Sequence, residues 1–322
     1  MKRELALGVL IVGGGLVMAC AGGGEPEPAA EAPAATEAAP PAEAPPENVV
    51  EVERLEDNLF VLRGGGGNSA AFITSDGVVL VDTKLAGWGQ PLIDAIGELT
   101  SNPITTIINT HAHFDHVDGS VEFPATVEFV AHENTQRLMR ENNPVRGIQA
   151  EPRPSPFQGD DAVGIPERTF TDTLTLGSDG DRVELHYFGR AHTGGDTWVE
   201  FPSARTVHAG DVFPNTMVPI MDFNNGGSGV DYPATLKSAS DGLTEIDRVI
   251  TGHGAVLTPG DLREYADFVA GFVSDAQAAK AAGTSAADFV TGWEPSGPYA
   301  DYTKGPAERL TVYVQDIYDA TP

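Results

Sequence analysis

The stretch at positions 111–116 carries the densest set of metal-binding side chains in the sequence. It reads His-Ala-His-Phe-Asp-His and directly follows a β-rich run. In an extended backbone alternate side chains share a face, so we expect His111, His113 and Asp115 to project together, with His116 turning aside where the strand ends. Neutral imidazole and carboxylate are groups that a borderline ion such as Zn²⁺ prefers. The stretch therefore predicts a metal site at a strand end, the alternative being a solvated loop rich in histidine.

Three later strand-like runs also lead to a histidine or an aspartate beside glycine. Glycine lets the backbone turn sharply where a ligand must point into a site. One such residue would be weak support for a shared site, and three in succession are stronger. The candidates are His192, Asp211 and His253, which follow the runs 183–188, 205–209 and 247–251.

The remaining histidines within or beside strands lack this setting. His132 ends a strand-like run with no further ligand spaced around it, and His186 and His208 lie inside predicted strands. A packed or edge histidine is the usual role at such positions. We therefore interpret all three as structural.

The pattern His-x-His-x-Asp-His at a strand end, followed in order by His192, Asp211 and His253, resembles the metallo-β-lactamase superfamily. The resemblance covers roughly residues 49–257. It implies an α+β fold, an αββα sandwich of two mixed β-sheets with helices on both outer faces.

The resemblance also implies a dinuclear centre with two Zn²⁺ ions, Fe or Mn being the alternatives. Its implied ligands are His111, His113 and His192 for one ion, Asp115, His116 and His253 for the other, and Asp211 as a bridge between them. A bridging hydroxide is the implied nucleophile. Asp115 is the implied catalytic residue, since in the family it accepts a hydrogen bond from that hydroxide and could shuttle its proton.

The family hydrolyses β-lactams, lactones, thioesters and phosphodiesters, so the fold does not name the substrate. Specialised β-lactamases of one large subclass have Cys in place of Asp211 and Lys in place of Pro214. Glyoxalase II-type thioesterases and lactonases usually show His-Thr-Pro-Gly-His where residues 192–196 read His-Thr-Gly-Gly-Asp. We expect hydrolysis of a small ester, thioester, lactone or amide, with weak β-lactam turnover. The alternatives are a non-catalytic metal-binding surface lipoprotein and a phosphodiesterase on the same fold.

The N-terminus predicts export and lipid anchoring. Residues 1–20 combine a basic start, an apolar run too short to span a bilayer and a final Ala-Cys pair, which resembles a bacterial lipoprotein signal peptide. Cys20, the only cysteine, would then carry the lipid, the alternative being an ordinary buried thiol. Residues 21–48 are rich in Ala, Pro and Glu and predict a disordered tether. We expect a protein anchored to the bacterial cell envelope, on its periplasmic or outer surface.

The strongly negative charge of the protein argues against nucleic acid as a partner. The formal net charge is −28, with 19 Lys and Arg against 47 Asp and Glu. Phosphate contacts need basic side chains, so we expect a small-molecule substrate and no nucleic acid. Residues 49–322 are enough for one hydrolase domain that includes C-terminal helices.

The sequence also predicts the strands and helices that position the ligands. Residues 49–82 predict an antiparallel meander, and helices are expected near 90–99, 133–142, 232–243, 260–283 and 305–318. Four glycines at 64–67 indicate either a hairpin turn or a mobile flap over the site. Residues 143–168 predict a long surface excursion that flanks the site. The large apolar residues of the loop after Asp211 need cover from the core or from a ligand.

Overall fold

Two mixed β-sheets form the centre of the fold. The computed structural model describes residues 48–159 and 162–322, so the predicted signal peptide, Cys20 and the predicted tether up to residue 47 lie outside its described part. The strands of the first sheet are β1 Glu51–Arg54, β2 Leu59–Arg63, β3 Ser69–Ile73, β4 Val78–Val81, β5 Ile104–Asn109, β6 Glu128–His132 and β7 Arg168–Phe170. Those of the second are β8 Thr173–Leu176, β9 Val183–His186, β10 Trp198–Phe201, β11 Thr206–His208, β12 Arg248–Ile250 and β13 Val256–Leu257.

The order and direction of the strands explain where functional side chains collect. The seven-stranded sheet runs β1 to β7 in sequence order, with β1 to β4 antiparallel, as the predicted meander requires, and β4 to β7 parallel. The six-stranded sheet has the order β13-β12-β11-β10-β9-β8, in which β11 and β12 are parallel. Parallel neighbours end at the same edge, so the carboxyl ends of β4 and β5 lie together, as do those of β11 and β12.

Helices cover the outer faces of the two sheets. They are α1 Gly89–Leu99, α2 Phe114–Val117, α3 Glu133–Glu141, α4 Tyr232–Gly242, α5 Pro259–Ala281, α6 Ala286–Gly292 and α7 Ala307–Ala320. Among the described residues no helix is long and apolar enough to cross a bilayer. The predicted helix 260–283 is confirmed, but the separate α6 after it was not predicted.

The apolar side chains form three layers. Residues of both sheets, among them Phe72 and Phe201, whose ring centroids are 5.1 Å apart, fill the space between the sheets. Leu92 and Ile96 of α1 pack on the outer face of the first sheet. Helices α4 to α7 pack on the outer face of the second. This arrangement confirms the predicted αββα sandwich.

The prediction that the ligand stretch is extended was wrong beyond its first residues. Strand β5 ends at Asn109, and α2 begins at Phe114. The backbone N–H of His116 donates to the carbonyl oxygen of His113 at 2.9 Å, which closes the first turn of this helix. The turn carries Asp115 away from the face that His111 and His113 share.

Candidate metal centre

The seven predicted ligands form two adjacent groups at the strand ends. In each group, one nitrogen or oxygen atom of every side chain lies within 4.8 Å of the corresponding atoms of the others. The first group is His111, His113, His192 and Asp211, and the second is Asp115, His116 and His253. The described part of the chain thus brings together every residue that the sequence predicted for the site.

Asp211 lies between the two groups. Its Oδ1 is 3.3 Å from His116 Nε2, and its Oδ2 is 3.2 Å from His253 Nε2 and 3.8 Å from His192 Nε2. The side chain follows β11 and is 5% exposed. Its two oxygens therefore face ligands of both groups, which is the position that a bridging carboxylate requires.

A buried carboxylate that the sequence analysis missed orients His116. Asp82 follows β4, and its Oδ2 lies 2.7 Å from Nδ1 of His116. A carboxylate accepts, so Nδ1 of His116 carries the proton and donates it to Asp82. When His116 is neutral, as it must be to bind a metal, its lone pair is consequently on Nε2, the atom that faces Asp211.

The same carboxylate fixes His111 through Thr110. The Thr110 hydroxyl donates to Asp82 Oδ2 at 2.7 Å, and the Thr110 backbone N–H donates to Asp82 Oδ1 at 2.8 Å. With its single proton engaged, the hydroxyl oxygen accepts from His111 Nδ1, 3.0 Å away. The lone pair of His111 is therefore on Nε2, inside the site.

His113 and His192 are oriented by other acceptors. His113 Nε2 is 2.8 Å from Asp222 Oδ2, and His192 Nδ1 donates to the carbonyl oxygen of Ile220 at 2.9 Å. Their remaining ring nitrogens, Nδ1 of His113 and Nε2 of His192, face each other at 2.9 Å. Asp222 is held by the side-chain amide of Asn225, which donates to Oδ2 at 2.6 Å. Each of these rings thus directs a lone pair into the first group.

Burial and neighbouring charges set the protonation of these ligands. Burial lowers the pKa of His111 well below its ordinary value and lowers that of His192 to about 4, which keeps both imidazoles neutral. Burial would raise the pKa of Asp211, but His253 and His116 together hold it well below its usual range. Burial likewise opposes protonation of His116, yet Asp211 and the other nearby carboxylates raise its pKa well above the ordinary value.

Two observations show that the side chains fit a bound cation. His111 Nε2 and Asp211 Oδ1 are buried without a hydrogen-bond partner among the described residues, a costly arrangement that a metal ion would relieve. The carboxylates that raise the pKa of His116 favour positive charge at the same place. The arrangement supports metal binding by these residues.

Glycine is required where the backbone passes closest to the ligands. A Cβ at Gly252 would lie 1.9 Å from Asp211 Oδ1, and one at Gly67 would lie 2.1 Å from the ring of His116. The Gly67 N–H donates to the carbonyl oxygen of Asp115 at 3.1 Å, and the buried Lys84 Nζ donates to the carbonyl oxygen of Gly67 at 2.7 Å. These contacts favour the packed turn over the mobile flap for residues 64–67.

The three histidines that we interpreted as structural have partners of their own. His132 Nε2 donates to the carbonyl oxygen of Thr171 at 2.9 Å, and His208 Nε2 to that of Asn68 at 3.1 Å. His186 on β9 lies 3.0 Å from a carboxylate oxygen of Glu200 on β10, and together with Glu184 they form a half-buried group away from the seven ligands. None of the three histidines belongs to the two ligand groups.

A pocket of about 250 Å³ opens onto the ligands. His113, Asp115, His192, Asp211 and His253 form its floor. The other lining residues are mostly apolar and come from four separate segments: Phe114, Val145, Ile148, Pro214, Met217, Ile220 and Arg309. The excursion after α3 therefore flanks the site, as the sequence predicted, and the apolar loop after Asp211 lines the same pocket.

The comparisons with known proteins agree with this geometry. A family model described as the metallo-beta-lactamase superfamily matches residues 62–261. Metallo-beta-lactamase type 2 of Bacteroides fragilis is 22% identical over 192 residues, which are 56% of this chain and 70% of that protein.

Two solved structures share the fold at low sequence identity. The metallo-beta-lactamase from Pontibacter korlensis superposes with a TM-score of 0.57 and 18% identity, over 68% of this chain and 98% of that one. The sec-alkylsulfatase Pisa1 from Pseudomonas sp. superposes with a TM-score of 0.67 and 15% identity, over 84% of this chain and 50% of that one. The family match spans more than half of the sequence, and on it the chain belongs to the metallo-β-lactamase superfamily.

Proposed function

We propose that this protein is a dinuclear zinc hydrolase that acts on a small ester, thioester, lactone or amide. The observation that carries the proposal is the pocket of about 250 Å³, whose floor is the ligand cluster and whose walls are mostly apolar. A pocket of this size and lining suits a small carbonyl compound rather than a polymer.

The ligands divide between the two ions as the two groups of side chains indicate. His111, His113 and His192 would hold one Zn²⁺, Asp115, His116 and His253 the other, and Asp211 would bridge. Bound zinc supplies Lewis-acid polarisation of a carbonyl oxygen and lowers the pKa of water. A bridging carboxylate suits the pair because it offsets the repulsion of two dications.

Asp115 is the residue that we propose to move the proton. Its side chain is 22% exposed and lines the pocket, and its Oδ2 lies 3.3 Å from His253 Nε2. A carboxylate in this position can accept a proton from attacking water and deliver it to the leaving group. Asp211, which is 5% exposed and faces ligands of both groups, would serve to hold the ions.

A substrate panel tests the proposal. The protein without residues 1–47 would be loaded with zinc and assayed against lactams, lactones, thioesters, carboxylic esters, phosphodiesters, an alkyl sulfate and RNA. We expect the highest kcat/KM on a carbonyl substrate, its loss on chelation and a strong decrease in Asp115→Asn. Greater activity on RNA or a phosphodiester would overturn the substrate class, and no activity with the full zinc content would favour the metal-binding lipoprotein.

We also propose that Cys20 is the lipidated N-terminus of an exported protein. The support is the apolar run before Ala19-Cys20 and the Ala, Pro and Glu composition after it. Cys20→Ser should move the protein from the membrane fraction to the soluble fraction. Identical fractionation of variant and wild type, or mass spectrometry that finds an intact Met1, would contradict this.

A further inference from the structure

One residue that lines the pocket, Arg309, lies outside the region that the family model matches. The match ends at residue 261, whereas Arg309 belongs to α7 and lines the pocket with Val145 and Ile148 of the excursion. Arg309 is the only lysine or arginine among the described residues that line this pocket. A single cationic side chain therefore lines a pocket whose other residues, apart from the metal ligands, are apolar.

Hydrogen bonds connect the excursion to α7 where the two segments form one wall of the pocket. Arg146 donates two hydrogen bonds to the Asp316 carboxylate, at 2.8 and 2.7 Å. The Tyr313 hydroxyl donates to the carbonyl oxygen of Arg146 at 3.1 Å. A Cβ at Gly147 would lie 3.1 Å from Arg309 Cγ, so the stem of Arg309 packs directly on the backbone of the excursion. The wall is thus built to hold Arg309 in place.

Arg309 differs from the nearby Arg146 in its ion pairing. Arg146 is neutralised by Asp316, but Arg309 has no carboxylate oxygen within 4.0 Å among the residues that the structure describes. In a chain with a formal net charge of −28, a cation without such a partner at the pocket is a local exception. Guanidinium binds carboxylate through two parallel hydrogen bonds, which also fixes its orientation.

We propose that Arg309 binds a carboxylate at the far end of the substrate, so that the substrate is an amphipathic ester, thioester or amide with one free acidic group. This inference rests on the proposed hydrolytic function. The apolar side chains that line the same pocket, such as Val145 and Ile148, pack against the body of the substrate. The carboxylate at one end positions the scissile bond over Asp115 at the other.

The test compares two p-nitrophenyl esters of equal length, one ending in a carboxylate and the other in the neutral carboxamide. Zinc-loaded wild type, Arg309→Gln and Arg309→Lys are assayed, with Arg137→Gln, an exposed arginine of α3, as the matched control. We expect Arg309→Gln to lower kcat/KM for the acidic ester roughly 10-fold to 100-fold. Its kcat/KM for the carboxamide should equal that of wild type, and Arg309→Lys should be intermediate.

Equal losses on both esters, or no preference of wild type for the acidic one, would overturn the inference. Calorimetry of adipate binding to the same zinc-loaded variants separates this result from a failure of the proposed function, because one carboxylate of adipate can bind zinc while the other is free to reach Arg309. If no ester is hydrolysed, binding that weakens at least 10-fold in Arg309→Gln and not in Arg137→Gln still supports the anion site. Binding that is equal in all variants refutes the site whether or not the protein is a hydrolase.

Discussion

We predict that Asp82 affects the affinity for metal although it is not itself one of the metal ligands. Its carboxylate accepts from His116 Nδ1 at 2.7 Å and from the Thr110 hydroxyl at 2.7 Å, and the hydroxyl in turn fixes His111. In Asp82→Asn one of the two oxygens becomes an amide that donates. If the amide faces His116, it forces the imidazole proton from Nδ1 to Nε2, and the lone pair is lost from the site.

The other orientation of the asparagine does not avoid the conflict. Its amide would then face the Thr110 backbone N–H, which donates to Asp82 Oδ1 at 2.8 Å in the wild type, so two donors would meet in a buried position. Leaving such a group unsatisfied costs about 1–3 kcal/mol. Loss of an orienting partner commonly reduces metal affinity ~10-fold to ~100-fold, or about 1.4–2.7 kcal/mol. Since Asp82 serves a histidine in each ligand group, we expect a loss near the upper end for both ions.

Zinc titration in competition with a chromophoric chelator measures this effect. Asp118→Asn is the matched control, because Asp118 is also buried but pairs with Arg153 instead of a ligand histidine. Circular dichroism checks that both variants are folded, and nitrogen chemical shifts of the zinc-loaded protein report which ring nitrogen of His116 is protonated. A zinc affinity of Asp82→Asn within twofold of the control, with an unchanged His116 tautomer, would refute the reasoning.

Two further predictions concern the bridge and a buried lysine. Asp211→Ala should remain folded, bind about one zinc instead of two and lose at least ~10² in hydrolytic rate; metal analysis of the dialysed variant that finds two tightly held zincs would show that Asp211 does not bridge. Burial lowers the pKa of Lys84 from 10.5 to about 7, so between these values the unfolded chain binds more protons. The free energy of unfolding of wild type relative to Lys84→Met should therefore rise with pH in this window, by at most about 1.4 kcal/mol per unit. Denaturant unfolding that shows a pH-independent difference would contradict the lowered pKa.

The sequence predicted the ligands well because each of them follows a strand, and strand ends meet at one edge. Strand alternation alone did not predict the division of the first stretch between two groups, which the family resemblance implied. Alternation placed Asp115 beside His111, but the helical turn that begins at Phe114 moves Asp115 to the group of His116 and His253. Periodicity over a few residues cannot show where a strand gives way to a helix.

The residues that orient the ligands were missed for two different reasons. Asp82 had a usable signal, since it ends a strand as the ligands do, and β4 is the parallel neighbour of β5. Asp222 had none, because it lies in an apolar loop 109 residues from His113, and only the folded chain brings the two side chains to 2.8 Å. A partner that acts across such a distance leaves no local pattern.

The metal ligands and the pocket wall formed by Arg309, Val145 and Ile148 depend on different parts of the molecule. The ligands are set by strand ends and by buried carboxylates such as Asp82, so a change there alters metal binding and the reaction together. The wall depends on α7 and the excursion, which meet through Arg146 and Asp316 and supply Arg309, Val145 and Ile148 to the pocket lining. Substitution of Arg309 should thus change which substrate is preferred without changing zinc content.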